Sequence, residues 1–134
     1  MLKYIVSISL FLSQYSYGAS ADICFAEYSH DGTIYELKIS ADVENLKLLV
    51  DRPTPYGIRN YSYEITEIDC QNHDAITVYT HNHNSELLDL VIRPINGSTS
   101  CKGTIYFNKK YRDYITWTCV PEVLHVLCGV PLLR

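Results

Sequence analysis

The stretch ICFAEYSHDGTIYELKIS, residues 23–40, decides the fold class. Two apolar-rich runs, Ile23 to Ser29 and Thr33 to Ser40, flank His30, Asp31 and Gly32. Asp-Gly between such runs signals a tight hairpin, because glycine accepts positive φ and the aspartate side chain can bond its own backbone. In the second run Ile34, Glu36 and Lys38 alternate with Tyr35, Leu37 and Ile39, which turns the latter set inward. A period of two is that of a strand, so residues 23–40 read as a β-hairpin.

Working outward, Asp42 to Val50 has two readings. Val43, Leu46 and Leu49 or Val50 have helical spacing, whereas Leu48, Leu49 and Val50 form a buried-strand run, and Pro53, Pro55 and Gly57 break either one. Tyr61 to Cys70 carries Tyr61, Tyr63 and Ile65 on one face and Ile68 and Cys70 on the other, a change of face that predicts a bulge near Thr66 or Glu67. Further strands are expected at Ala75 to Thr80, Leu87 to Arg93, Gly103 to Asn108, Tyr114 to Val120 and Val123 to Gly129, with His81 to Ser85 and Pro94 to Ser100 as loops. Seven or eight short strands predict an all-β domain. It is either a small antiparallel β-sandwich, immunoglobulin-like in the loose sense, or a partly open barrel, stabilised by disulfides. The Cys–Trp–Cys pattern of true immunoglobulin domains is not met cleanly, since Trp117 stands only two residues before Cys119.

The N-terminus carries one charge, Lys3, then an apolar run from Ile5 to Leu12, and ends on Ala19-Ser20-Ala21. These are the n-region, h-region and small-residue exit of a signal peptide, so residues 1–21 are expected to be removed and residues 22–134 to form one secreted, β-rich domain. Ser7, Ser9, Ser13, Gln14 and Ser16 dilute the segment too far for a bilayer span, which needs about 20 mostly apolar residues. The remainder holds ten Lys and Arg against fifteen Asp and Glu, an acidic balance suited to solubility and opposed to a nucleic-acid surface. Lys109, Lys110 and Arg112, beside Tyr111 and followed by Asp113, read as a solvated turn.

All five cysteines, Cys24, Cys70, Cys101, Cys119 and Cys128, lie beyond the signal segment and are disulfide candidates in an exported chain. Five is odd, so one is a free thiol or links a second chain as a disulfide-bonded dimer. Zinc is not expected, because no two cysteines have the close spacing of a structural site. If Pro121-Glu122 turns a hairpin, Cys119 and Cys128 do not face one another and must find partners among Cys24, Cys70 and Cys101.

No motif carries chemistry: G-x-S-x-G, H-E-x-x-H, the phosphate loop and the dinucleotide glycines are all missing, and no cofactor is implied. His81 and His83 would share a face in a strand and could hold a metal with Asp74 or Glu86, but Asn82 and Asn84 favour a turn. His125, among Val123, Leu124, Val126 and Leu127, reads as a half-buried structural residue. Asn60-Tyr61-Ser62 and Asn96-Gly97-Ser98 are N-glycosylation acceptors. Nine of the twelve tyrosines follow the signal segment, and Tyr56 and Tyr111 are placed in loops, where strand packing does not explain them. The expectation is a non-catalytic module that binds an extracellular or cell-surface protein, or a glycan on one. The alternatives are a small secreted hydrolase built on histidine with a carboxylate or cysteine, and a self-associating envelope or coat component.

Overall fold

The computed structural model describes residues 20–71, 74–120, 122, 127 and 128. Its strands are β1 (Ser20–His30), β2 (Thr33–Asp42), β3 (Lys47–Thr54), β4 (Gly57–Asp69), β5 (Ile76–His81), β6 (Leu87–Pro94), β7 (Cys101–Phe107), β8 (Tyr111–Arg112) and β9 (Trp117–Cys119). Strands β1 to β7 pair antiparallel in chain order, β7 pairs with β9, and β9 pairs with β1. Eight strands therefore close into a barrel, with β8 lying on the same edge of β7 as β9. The pairings make one closed sheet, so of the two expected architectures the barrel describes the chain and the two-layered sandwich does not. Closure removes the free edges that two facing sheets would leave.

The opening hairpin forms as read. His30 pairs with Thr33, and Asp31 and Gly32 take φ of 51° and 77° between them, the pair of positive angles that a two-residue hairpin turn requires. Leu37 and Ile39 are buried, and Tyr35 shares their face. In the 42–50 segment the strand reading of Leu48 to Val50 is correct and the helical one is not. Strand β3 also runs on through Pro53, where a break was expected, and pairs it with Ile58. The ladder from β2 ends at Val50, and the alternation of the hairpin points the Pro53 nitrogen to that vacated side, so no hydrogen bond is lost. The expected bulge appears between Ile65 and Glu67.

The C-terminal part departs most from expectation. The strand expected at Tyr114 to Val120 is cut to Trp117–Cys119. The reason lies in register: five residue steps from Arg112 to Trp117 must match three from Tyr106 back to Gly103, so residues between them leave the ladder. Of the last expected strand, residues 123–126 and 129 lie outside the described residues, but Glu122, Leu127 and Cys128 are helical. Leu127 is buried in the core.

The core is the barrel interior, filled by alternate residues of every long strand, among them Leu37, Leu48, Tyr63, Val78, Leu90 and Ile105. An eight-stranded barrel is just wide enough for side chains to fill it. Leu127 and the Cys70–Cys128 bridge sit at the end where β4 finishes, while the hairpin tips of β1–β2, β3–β4, β5–β6 and β7–β8 gather at the other. The second bridge, Cys24–Cys119, joins partners 95 residues apart across the β1–β9 pair. Cys119 and Cys128 thus bond not to each other but to Cys24 and Cys70. The odd thiol is Cys101, buried in the wall opposite Cys119, so a covalent dimer through it would require the wall to open.

Segment 1–19, the bulk of the expected signal peptide, lies outside the described residues, and β1 begins at Ser20. Cleavage after Ala21 would leave Asp22 as the first residue, its carboxylate accepting a hydrogen bond from Ser40 Oγ at 2.6 Å.

Peptide mapping of the oxidised chain is expected to return Cys24–Cys119 and Cys70–Cys128, with Cys101 alkylated only after unfolding. Rapid alkylation of Cys101 in the folded protein, or five free thiols, contradicts this arrangement.

Candidate functional site

The element that stands apart from the closed wall is the distal half of the β1–β2 hairpin. Strand β9 pairs with β1 only at Cys24 and Phe25, and β3 pairs with β2 only from Ile39 onward. Residues 26–30 and 33–38 are thus paired with each other and with no third strand among the described residues. They form a two-stranded ribbon that continues beyond the wall.

The ribbon's two faces differ in chemistry. One continues the barrel interior and carries Tyr28 opposite Tyr35, with Ala26 opposite Leu37 below them. Tyr28 lies 6.5 Å from the rings of both Tyr35 and Tyr114, and 6.1 Å from that of His30, which it stacks against at 10°. Tyr114 is 75% exposed although it touches Tyr28. The other face carries Glu27 opposite Glu36 and Phe25 opposite Lys38, with Phe25 and Ile34 exposed. Here a groove of about 700 Å³ runs along the ribbon, lined by Phe25, Ala26, Glu27, Glu36, Leu37, Thr116 and Thr118.

The two ribbon edges also differ. On the β2 side the Lys38 N–H donates to Asp51 Oδ2 at 3.2 Å, and Asn60 donates to the other oxygen of the same carboxylate. Asp51 thus caps the place where β2 and β3 separate. Because the Lys38 N–H points away from β1, Phe25–Lys38 is a non-hydrogen-bonded pair in the β1–β2 ladder. Alternation then makes Glu27–Glu36 and Ser29–Ile34 non-hydrogen-bonded as well, so the backbone N–H and C=O of Glu27 and Ser29 point out of the open edge of β1.

The barrel mouth beside the ribbon holds a half-buried polar cluster around the buried Tyr63. Arg52 lies between the rings of Tyr61 and Phe107, 4.9 and 4.3 Å from their centroids. Its Nη1 donates to Tyr63 Oη at 2.8 Å and to Glu86 Oε1 at 3.0 Å, and Tyr63 Oη donates to the same carboxylate oxygen at 2.7 Å. Burial, and then the bond to Glu86, push the Tyr63 phenol far above its ordinary range, so it remains a donor at any working pH. Arg52 Nη1, Tyr63 Oη and Glu86 Oε1 thus form one closed triangle of hydrogen bonds.

On the outer wall Tyr79, Asp89, Tyr106 and Arg112 stand in one transverse row across β5, β6, β7 and β8. Partial burial between the two tyrosines raises the Asp89 carboxyl above its usual range, with Lys109 opposing the shift.

The residues singled out in the sequence fall as follows. Tyr56, at the β3–β4 tip, and Tyr111 are 89% and 69% exposed at the same barrel end as the ribbon, although Tyr111 belongs to the short strand β8 rather than a loop. Asn60 and Asn96 are both exposed, Asn60 with its amide held by Asp51. His81 is the last residue of β5, not a loop residue, and its Nε2 lies 3.5 Å from Glu64. His83 is exposed in the loop that follows, Glu86 is held by Arg52, and Asp74 lies at the opposite end of β5, so the ligands imagined for a metal are not brought together. His125 lies outside the described residues. Lys109 and Lys110 form the expected turn, while Arg112 belongs to β8.

Sequence reading missed Tyr28, Tyr35, Tyr114 and the Glu27–Glu36 pair as a site. The signal for the first two was present: they stand three residues before Asp31 and three after Gly32, so the turn itself sets them opposite one another. Tyr114 had no local signal, because it leaves the ladder through the register mismatch. Comparisons with protein-family models, curated proteins and solved structures find no match for the chain.

The Asp89 shift has a definite sign. A carboxyl whose folded pKa is raised binds more protons folded than unfolded, so its ionisation weakens the fold as pH rises through the window between the two values. Asp89→Asn is expected to raise the melting temperature at pH 7, with the gain shrinking to nothing as pH falls towards about 4, the ordinary carboxyl value. A gain independent of pH, or a loss at neutral pH, contradicts the assignment.

Proposed function

We propose that the chain is an exported, non-catalytic protein-binding module that meets an extracellular or cell-surface protein with the barrel end bearing the β1–β2 ribbon. One observation carries the reading: a ribbon without a third strand presents Tyr28, Tyr35 and Tyr114 as a cluster at its exposed tip. Tyrosine gives large contact area with few rotors to immobilise and is enriched where binding energy concentrates. Tyr56 and Tyr111 extend the same end outward. Export is supported by Lys3, the apolar run and Ala19-Ser20-Ala21, and two disulfides are compatible with an oxidising compartment.

The glycan half of the expectation has its own support in the outer row. Tyr79 and Tyr106 flank the Asp89 carboxylate, and aromatic faces beside a carboxylate suit the apolar face and hydroxyls of a sugar.

Capture of extracellular proteins on the immobilised oxidised chain tests the main reading when repeated with Tyr35→Ser plus Tyr114→Ser, and with Tyr56→Ala plus Tyr111→Ala. The first pair is expected to weaken a captured partner at least about tenfold, equivalent to roughly 1.4 kcal/mol, and the second pair less. Undiminished binding by the first pair, in variants that melt like the parent, removes the ribbon from the contact.

A further inference from the structure

The open edge of β1 and the groove beside it define an occupant. We infer that the β1 edge accepts an extended, basic segment of a partner protein as an added strand, with a Lys or Arg side chain of that segment seated beside Glu27 and Glu36. The inference rests on the ribbon being the contact element, as proposed above, and adds the chemistry of what it contacts.

Three observations converge. First, the main-chain N–H and C=O groups of Glu27 and Ser29 point out of an edge that β9 leaves after Phe25, and strand addition satisfies such groups with a partner's backbone. Second, the groove of about 700 Å³ lies along that edge, with Thr116 and Thr118 as its far wall and the half-exposed Phe25 at its end. Third, its charged lining residues, Glu27 and Glu36, share one sign. Glu27 and Glu36 are directly opposed across the ladder, an arrangement that destabilises a sheet unless a cation neutralises it. Among the described residues no Lys, Arg or His forms an ion pair with either, and Lys38, two residues after Glu36 on the same face, has its Nζ 4.0 Å from Asp22.

Strand geometry sets the position of the required charge. A partner residue placed directly opposite Glu27 stands on the same face as Glu27 and Glu36, extending their row by one, and a cation there offsets both carboxylates. The partner's flanking residues turn to the other face, towards Tyr28, where apolar side chains fit. The same geometry disfavours a second copy of this chain, because pairing two β1 edges would bring Glu27 and Glu36 of one copy up to those of the other.

The probe is a short synthetic peptide of alternating Val and Thr with a central Lys, compared with one carrying Glu in its place, titrated into the isotopically labelled oxidised chain. The Lys peptide is expected to shift the backbone signals of Glu27, Ser29, Thr116 and Thr118, and to bind at least about tenfold more tightly than the Glu peptide. Glu27→Gln plus Glu36→Gln should abolish that preference without lowering the melting temperature, since it relieves a like-charge pair. Equal binding of the two peptides, shifts confined to other strands, no shift at about 1 mM Lys peptide, or self-association through the same signals overturns the inference. Tyr35→Ser plus Tyr114→Ser leaves the Lys-over-Glu preference intact, so failure of this inference and failure of the module reading give different results.

Discussion

The structure depends on the short strand β9 and on where Cys119 stands within it. Cys119 is bonded to Cys24 on one side and in register with Cys101 on the other. The seam is tight: a Cβ on Gly103 would lie 2.7 Å from Cys119 Sγ and 3.1 Å from the Cβ of Trp117, so only glycine fits at the register position opposite Trp117. Three residues of β9 thereby join the first strand to the seventh. In the chain-entropy account, closing a loop of this length stabilises the fold by about 4–5 kcal/mol, a sizeable part of the stability a small domain commands. Without that seam β1 and β7 would both be sheet edges.

The same seam creates the candidate site, because it is short. Strand β1 continues five residues past its last β9 partner, and β2 continues with it, so a ribbon leaves the wall with neither edge paired to a third strand among the described residues. The β2 edge is capped only at its base, by Asp51 accepting from Lys38 N–H, whereas the β1 edge runs beside the groove walled by Thr116 and Thr118. Natural sheets blunt such edges with charge, and Glu27 and Glu36 fill that role here at the cost of mutual repulsion. The Arg52–Tyr63–Glu86 cluster, by contrast, bonds within itself at the barrel mouth.

How much of this was legible in the sequence followed the range of the interaction. Local signals held: the Asp-Gly turn, the inward face of Leu37 and Ile39, and the bulge at Thr66 are properties of a few consecutive residues. Pro53 misled because proline forbids a strand only where its nitrogen faces a partner, and whether β2 still runs alongside is not a local matter. Closure was invisible for the same reason: one sheet or two depends on β6 meeting β7 and β9 meeting β1, over separations no pattern of period two encodes. The site suffered most. Tyr28 and Tyr35 could be paired through the turn, but Tyr114 reaches them only through the register mismatch between β7 and β8–β9.

The central claim is that β9 closes the barrel over only the first half of β1, leaving the main chain of Glu27 and Ser29 unpaired. Residue-resolved amide hydrogen exchange on the oxidised chain tests it directly. The account predicts that the Glu27 and Ser29 amides exchange far faster than those of Ala26 and Tyr28, which point to β2, while Val78, Leu90 and Ile105 in the closed wall exchange slowest. Protection of Glu27 and Ser29 equal to that of Ala26 and Tyr28 would contradict it, because some other part of the chain would then have to occupy the edge.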